Sequence, residues 1–81
     1  MPSLSQLPSD LSRERFIRAL SAVGFQINKK GGDGSHYKAI WPTTQKSITI
    51  QYDFRKDVLY ETLKDIKVIS GIEWEEIKKH V

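Results

Sequence analysis

Apolar residues recur with the spacing of a helix near the start of this chain. Four of them fall at i, i+1, i+4 and i+7, which is one face of a helix: Phe16, Ile17, Leu20 and Val23. The pattern predicts a helix over about residues 13–23. Ser12 is placed to cap it, because its hydroxyl can accept a hydrogen bond from an unpaired first-turn amide. Leu11 and Phe16 can form a hydrophobic staple around that cap, and Gly24 is a natural stop.

Alternation of apolar and polar residues predicts three strands, over about residues 25–29, 36–41 and 47–52. Successive side chains of a strand point to opposite faces of a sheet. In the second strand this places the aromatic residues on one face and His36 with Lys38 on the other. Helices that cover the aromatic face would leave His36 and Lys38 exposed. The short links between strands predict an antiparallel meander.

Two further helices are predicted after the strands. Asp57 can cap a helix that runs to about Lys67, with three apolar residues as its inward stripe: Leu59, Leu63 and Ile66. Ser70 and Glu73 have the spacing of a capping box, which predicts a short third helix over about residues 72–80.

The order of these elements predicts an α+β fold. A helix, three strands, a helix and a short helix follow one another, so a three-stranded antiparallel sheet should carry its helices on one face. Residues 1–11 hold two prolines and three serines, and we expect them to form an irregular lead-in. Residues 12–81 then form a single small domain.

Charge is distributed unevenly along the chain. Residues 1–56 hold nine Lys/Arg and four Asp/Glu, a net of +5, whereas residues 57–81 hold four and six, a net of −2. The excess of positive charge in residues 1–56 indicates that this part of the chain could form a surface that binds a polyanion. The overall charge of +3 is also an ordinary solubilising charge. Arg13, Arg15 and Arg18 are expected on the solvated side of the first helix.

Composition excludes several classes of site. The chain has no cysteine, so neither a disulfide nor a Cys-based metal site is available. The N-terminal residues lack a basic start and a long apolar run, so no signal peptide is expected. No apolar run approaches the roughly 20 residues of a membrane span. These features together predict a cytoplasmic protein with no membrane partner.

The stretch from Lys29 to Lys38 concentrates the candidate chemistry. It holds three glycines, three lysines, a serine and one of the two histidines. His36 can take or give a proton near neutral pH, and the glycines let a phosphate approach the main chain. The glycine spacing fits neither a P-loop nor a dinucleotide fingerprint, so no nucleotide cofactor is expected. His36 has no His or Cys at ligand spacing, so no metal is expected.

Several segments together match a known pattern over about residues 12–80. They are Gly24-Phe25 after an amphipathic helix, Gly34-Ser35-His36 at the start of the second strand, Ser47-Ile48-Thr49-Ile50, the helix segment Leu59–Lys64, and the tail Gly71–Ile77. On these residues the chain resembles the HicA family, the small toxins of HicA–HicB toxin–antitoxin pairs. The resemblance implies a dsRBD-like fold, the layout of double-stranded-RNA-binding domains.

The resemblance also implies a function. The histidine of Gly-Ser-His is needed in that family for metal-independent cleavage of mRNA, which makes His36 the expected catalytic residue of an endoribonuclease. The residues around it could stabilise phosphoryl charge or contact phosphate through side chains and backbone amides: Lys29, Lys30, Gly34, Ser35 and Lys38. The expected partners are RNA and a HicB-like antitoxin that covers this patch. No cofactor and no DNA contact are expected.

A non-catalytic reading stays open. The family commonly has a Pro and a His after the third strand, where this chain has Gln51-Tyr52-Asp53. A module of the same fold that binds RNA or a protein without cutting is the alternative, and a domain that binds only proteins is a weaker third. Four aromatic residues could stack on bases, but their pattern favours core positions: Tyr37, Trp41, Tyr52 and Trp74.

Overall fold

The computed structural model describes residues 4–8, 10–29, 37–51 and 55–81. After a 3₁₀ turn at Leu4–Gln6, the elements in chain order are α1 (Arg13–Ala22), β1 (Gln26–Asn28), β2 (Tyr37–Trp41), β3 (Lys46–Ile50), α2 (Lys56–Ser70) and α3 (Trp74–Lys78). The predicted α+β order of helix, three strands and two helices is confirmed.

The three strands form one antiparallel sheet in the order β1-β2-β3, as predicted. The register places Ile27 opposite Ala39, and Ala39 opposite Ile48. This row faces the helices, and Ala39 and Ile48 are buried. The core lies between that face and the helices, because α1 packs on β1 and α3 while α2 packs on β3.

The first helix begins and ends as its sequence predicts. The Ser12 Oγ accepts a hydrogen bond from the backbone N–H of Arg15 at 3.2 Å. Leu11 and Phe16, the predicted staple, are both buried. The last helical residue is Ala22, and the chain then turns through Gly24 at a φ of 118°.

The second helix starts two residues earlier than predicted, so the expected Asp57 cap is wrong. The carbonyl of Arg55 already accepts a hydrogen bond from the Leu59 N–H at 2.8 Å, which makes Arg55 the N-cap. Asp57 lies inside the first turn, where its carboxylate favours the positive end of the helix dipole.

The second helix also runs three residues past its predicted end, so the expected capping box is wrong. Ser70 is the last residue of α2, where its hydroxyl donates to the Ile66 carbonyl at 2.7 Å and accepts from the Ile72 N–H at 3.1 Å. Gly71 then ends the helix in a left-handed conformation, with φ 77°. Glu73 is the N-cap of α3, and its carboxylate pairs with Lys67 of α2.

Of the glycines in the described ranges, Gly24 and Gly71 both have positive φ but differ in their surroundings. A Cβ on Gly24 would lie 3.2 Å from Cζ3 of Trp41, whereas a Cβ on Gly71 would meet no atom within 4 Å. The Trp41 ring also packs on Phe25, with 4.9 Å between ring centroids. Gly24 therefore lets the turn after α1 sit directly against an aromatic pair.

We expect Gly24→Ala to destabilise the fold more than Gly71→Ala. Gly71→Ala should cost about 1–2 kcal/mol, the price of a left-handed residue with a side chain. Gly24→Ala adds a clash with Trp41 and a φ further from the left-handed minimum, so its loss should be larger. Urea unfolding of both variants measures this difference, and equal losses would contradict the close packing at Gly24.

Candidate nucleic-acid interface

The face of the sheet opposite the helix-covered one is mostly polar among the described residues. Pairing of the three strands aligns Asn28, Lys38 and Thr49 in one row across this face. All three residues are exposed. We call this set the polar row. It offers an amide, an ammonium group and a hydroxyl side by side, which are the groups that contact phosphate and sugar oxygens of a nucleic acid.

A second group of cations lies on the other face at the same end of the sheet. The guanidinium carbon of Arg13 lies 4.0 Å from the centroid of the Tyr37 ring, and the Lys29 Nζ lies 5.6 Å from it. Tyr37 is half-buried and packs against the core. We call Arg13, Lys29 and Tyr37 the Tyr37 cluster. The ring attracts both cations through its negative π face.

The two lysines of the predicted site that the structure describes point to different sides of the sheet. Lys38 is on the open face, in the polar row. Lys29 extends to the Tyr37 ring on the helix-covered side. Both are exposed. The other predicted site residues lie outside the described residues: Lys30, Gly34, Ser35 and His36.

Arg13 is the residue of this region that sequence reasoning missed. It was expected on a solvated helix face, but its side chain is only 13% exposed and lies on Tyr37. Its guanidinium is also 3.5 Å from the Glu14 carboxylate. Helical periodicity puts Arg13 in line with the buried stripe, at i−4 from Ile17 and i−7 from Leu20, but only the tertiary packing shows that Tyr37 lies beneath it.

The polar row and the Tyr37 cluster flank one connection of the chain. Asn28 at the end of β1 pairs with Lys38 near the start of β2, so the segment between these strands leaves and re-enters the sheet at this end. Cations on both faces of the same end create a positive potential there that attracts a polyanion. Across the described residues, no group of three His, Cys, Asp or Glu is placed to hold a metal ion.

Comparison with known proteins adds no relative to this picture, because no family model, curated protein or solved structure matches the chain. None of the helices in the described ranges has the length and apolar character needed to span a bilayer. The arguments on function therefore depend on the chemistry of the residues and on their placement in the fold.

We expect a double-mutant cycle to reveal coupling between Arg13 and Tyr37. The contact is largely desolvated, so Arg13→Met and Tyr37→Leu should couple by about 0.5–2 kcal/mol in the free energy of unfolding. Arg15→Met is the matched control, since Arg15 is exposed on the same helix. Coupling of Tyr37 to Arg15 as strong as its coupling to Arg13 would contradict the assignment.

Proposed function

We propose that this protein is a HicA-like toxin, an endoribonuclease that cleaves mRNA through His36 and is held in check by an antitoxin. The observation that carries the proposal is the concentration of cations at the end of the sheet between β1 and β2. Lys29 and Lys38 flank the segment that contains Gly34-Ser35-His36, and Arg13 adds a third cation. We expect a polyanion held there to be within reach of the one histidine of that segment.

The proposed reaction is attack of a ribose 2′-hydroxyl on the adjacent phosphorus. His36 takes the proton of that hydroxyl, or protonates the departing 5′-oxygen, and a histidine in either role typically contributes about 10²–10⁴-fold. The bond to the 5′-oxygen breaks as the new bond forms, so the products are a 2′,3′-cyclic phosphate and a 5′-hydroxyl. Lys38 stabilises the charge that develops on the phosphoryl oxygens.

The polar row gives the non-catalytic alternative its support. Asn28, Lys38 and Thr49 form a surface suited to phosphate and sugar contacts that is independent of His36. A module that binds RNA without cutting needs no more than this surface. An antitoxin that covers the same cations would present a largely acidic interface in either case.

The direct test is incubation of the purified protein with a defined single-stranded RNA in EDTA. We expect cleavage by the native protein and at least about 10²-fold slower cleavage by His36→Ala, because the proton transfer is lost. His80→Ala is the matched control, since His80 is the other histidine and lies exposed after α3. It should cleave at the native rate.

Product chemistry makes this test sharper. A single 2′-deoxy nucleotide at the cleavage position should block the cut there, because it removes the attacking hydroxyl. Absence of cleavage by folded protein that is free of any co-purified partner would favour the binding module. Cleavage that survives in His36→Ala would contradict the proposed role of His36.

Salt dependence of RNA binding tests the cations separately from catalysis. The variants Lys29→Ala and Lys38→Ala are each made in the His36→Ala background, and the RNA association constant K is measured against salt concentration. Each lost phosphate contact should make the negative slope of log K against log salt shallower by about 0.7. Lys64→Ala serves as control because Lys64 is an exposed lysine of α2. An unchanged slope in Lys38→Ala would show that Lys38 does not contact RNA phosphate, and it would contradict a role of the polar row in RNA binding.

A further inference from the structure

The outer edge of β3 is a strand edge without a neighbour in the described sheet, because β3 is last in the order β1-β2-β3. Beside it runs an open groove of about 470 Å³, lined by residues 47–49 and Gln51 of the β3 segment and by Asp65, Val68 and Ile69 of α2. A free strand edge presents unpaired backbone N–H and C=O groups and is a template for a further strand.

Two apolar residues of α2, Val68 and Ile69, line the groove. Val68 is 81% exposed, and among the described residues it is the one large hydrophobic residue classed as exposed. Exposed apolar surface next to a free strand edge favours a protein occupant. The groove also carries the Asp65 carboxylate, which disfavours a polyanion such as RNA.

Charge complementarity identifies the occupant. Lys46 opens β3 and, by strand alternation, shares the helix-covered side with Ile48 and Ile50. Lys46 and Asp65 are both exposed, and neither has an ion-pair partner among the described residues. Within the described part of the chain, one end of the edge therefore carries a lysine without an ion-pair partner, and the groove beside it carries such an aspartate.

We propose that a second copy of this chain pairs its β3 antiparallel to this edge. A twofold axis perpendicular to the sheet, midway between the two β3 strands at the level of Ile48, then joins the two sheets into one of six strands. Lys46 of each copy then lies opposite Ile50 of the other, whose groove carries the Asp65 carboxylate. The two Lys46 residues stay roughly 13 Å apart along the strands, so they do not repel one another closely.

The twofold arrangement makes every contact twice, which is the usual form of a closed homodimer. Val68 and Ile69 of each copy are covered by the other. The helices of both copies lie on one side of the joined sheet, and the two polar rows lie together on the opposite side. This proposal does not depend on the proposed ribonuclease activity.

Sedimentation velocity over a micromolar to millimolar range of protein concentration tests the proposal. We expect a reversible dimer, and we expect Val68→Lys to raise its dissociation constant at least about tenfold, because a charge enters the covered apolar contact. Ser21→Lys is the matched control, as it adds the same charge at an exposed position of α1. It should leave the dissociation constant unchanged.

A charge reversal at Lys46 and Asp65 tests the orientation. Lys46→Glu and Asp65→Lys should each weaken the dimer, and the two together should restore it to within about threefold. Amides of β3 should also exchange more slowly with solvent as protein concentration rises. A monomer at every concentration overturns the proposal, and so does a dimer that neither Val68→Lys nor the charge reversals weaken.

Discussion

The register of the three strands is the constraint on which the other features of this structure depend. Side chains alternate between the two faces of a sheet, so a slip of one residue would exchange the faces of an entire strand. The observed register aligns Ile27, Ala39 and Ile48 toward the helices. The same pairing necessarily aligns Asn28, Lys38 and Thr49 on the open face. Burial of Ile27, Ala39 and Ile48 against the helices thus also determines which residues form the polar row on the open face.

Contacts with the two end residues of β2 are made at the start of α1 and in the turn that follows it, and this links the core to the candidate site. At its C-terminal end, Gly24 approaches the Trp41 ring closely enough that a Cβ would lie 3.2 Å from it. At its N-terminal end, Arg13 lies on the ring of Tyr37. Tyr37 and Trp41 are the first and last residues of β2. Arg13 therefore contributes to the position of the helix and to the positive charge at this end of the sheet.

The sequence predicts most of the architecture because its signals are local. The alternation in β2 and β3, the helical stripe of α1 and the Ser12 cap each depend on neighbouring residues, and they appear where the pattern places them. The ends of α2 depend on competition between alternative caps. The Ser70 hydroxyl hydrogen-bonds to the backbone of Ile66 and Ile72 at the end of α2, so it does not cap the N-terminus of α3.

The candidate site is less predictable from sequence because its contacts are not local. Lys29 and Lys38 are close in sequence and were expected to act together, yet they extend to opposite sides of the sheet. Their separation follows from the position of each residue relative to the end of β1 and from the attraction of the Tyr37 ring for a cation. Arg13 enters the site from another element, and only the packing of α1 against the sheet brings it onto the Tyr37 ring.

Cations lie on both faces of one end of the sheet, so an inhibitor of the proposed nuclease must deal with both faces. A partner that covers only the open face would neutralise Lys38 and leave Lys29 accessible, because Lys29 lies on the other side of the sheet. RNA could still be held by the remaining cations, although charge near the proposed reaction site would be reduced. Complete inhibition therefore requires a partner that wraps around the end of the sheet or that blocks access to His36 itself. A partner that satisfies only the polar row would weaken RNA binding without abolishing it.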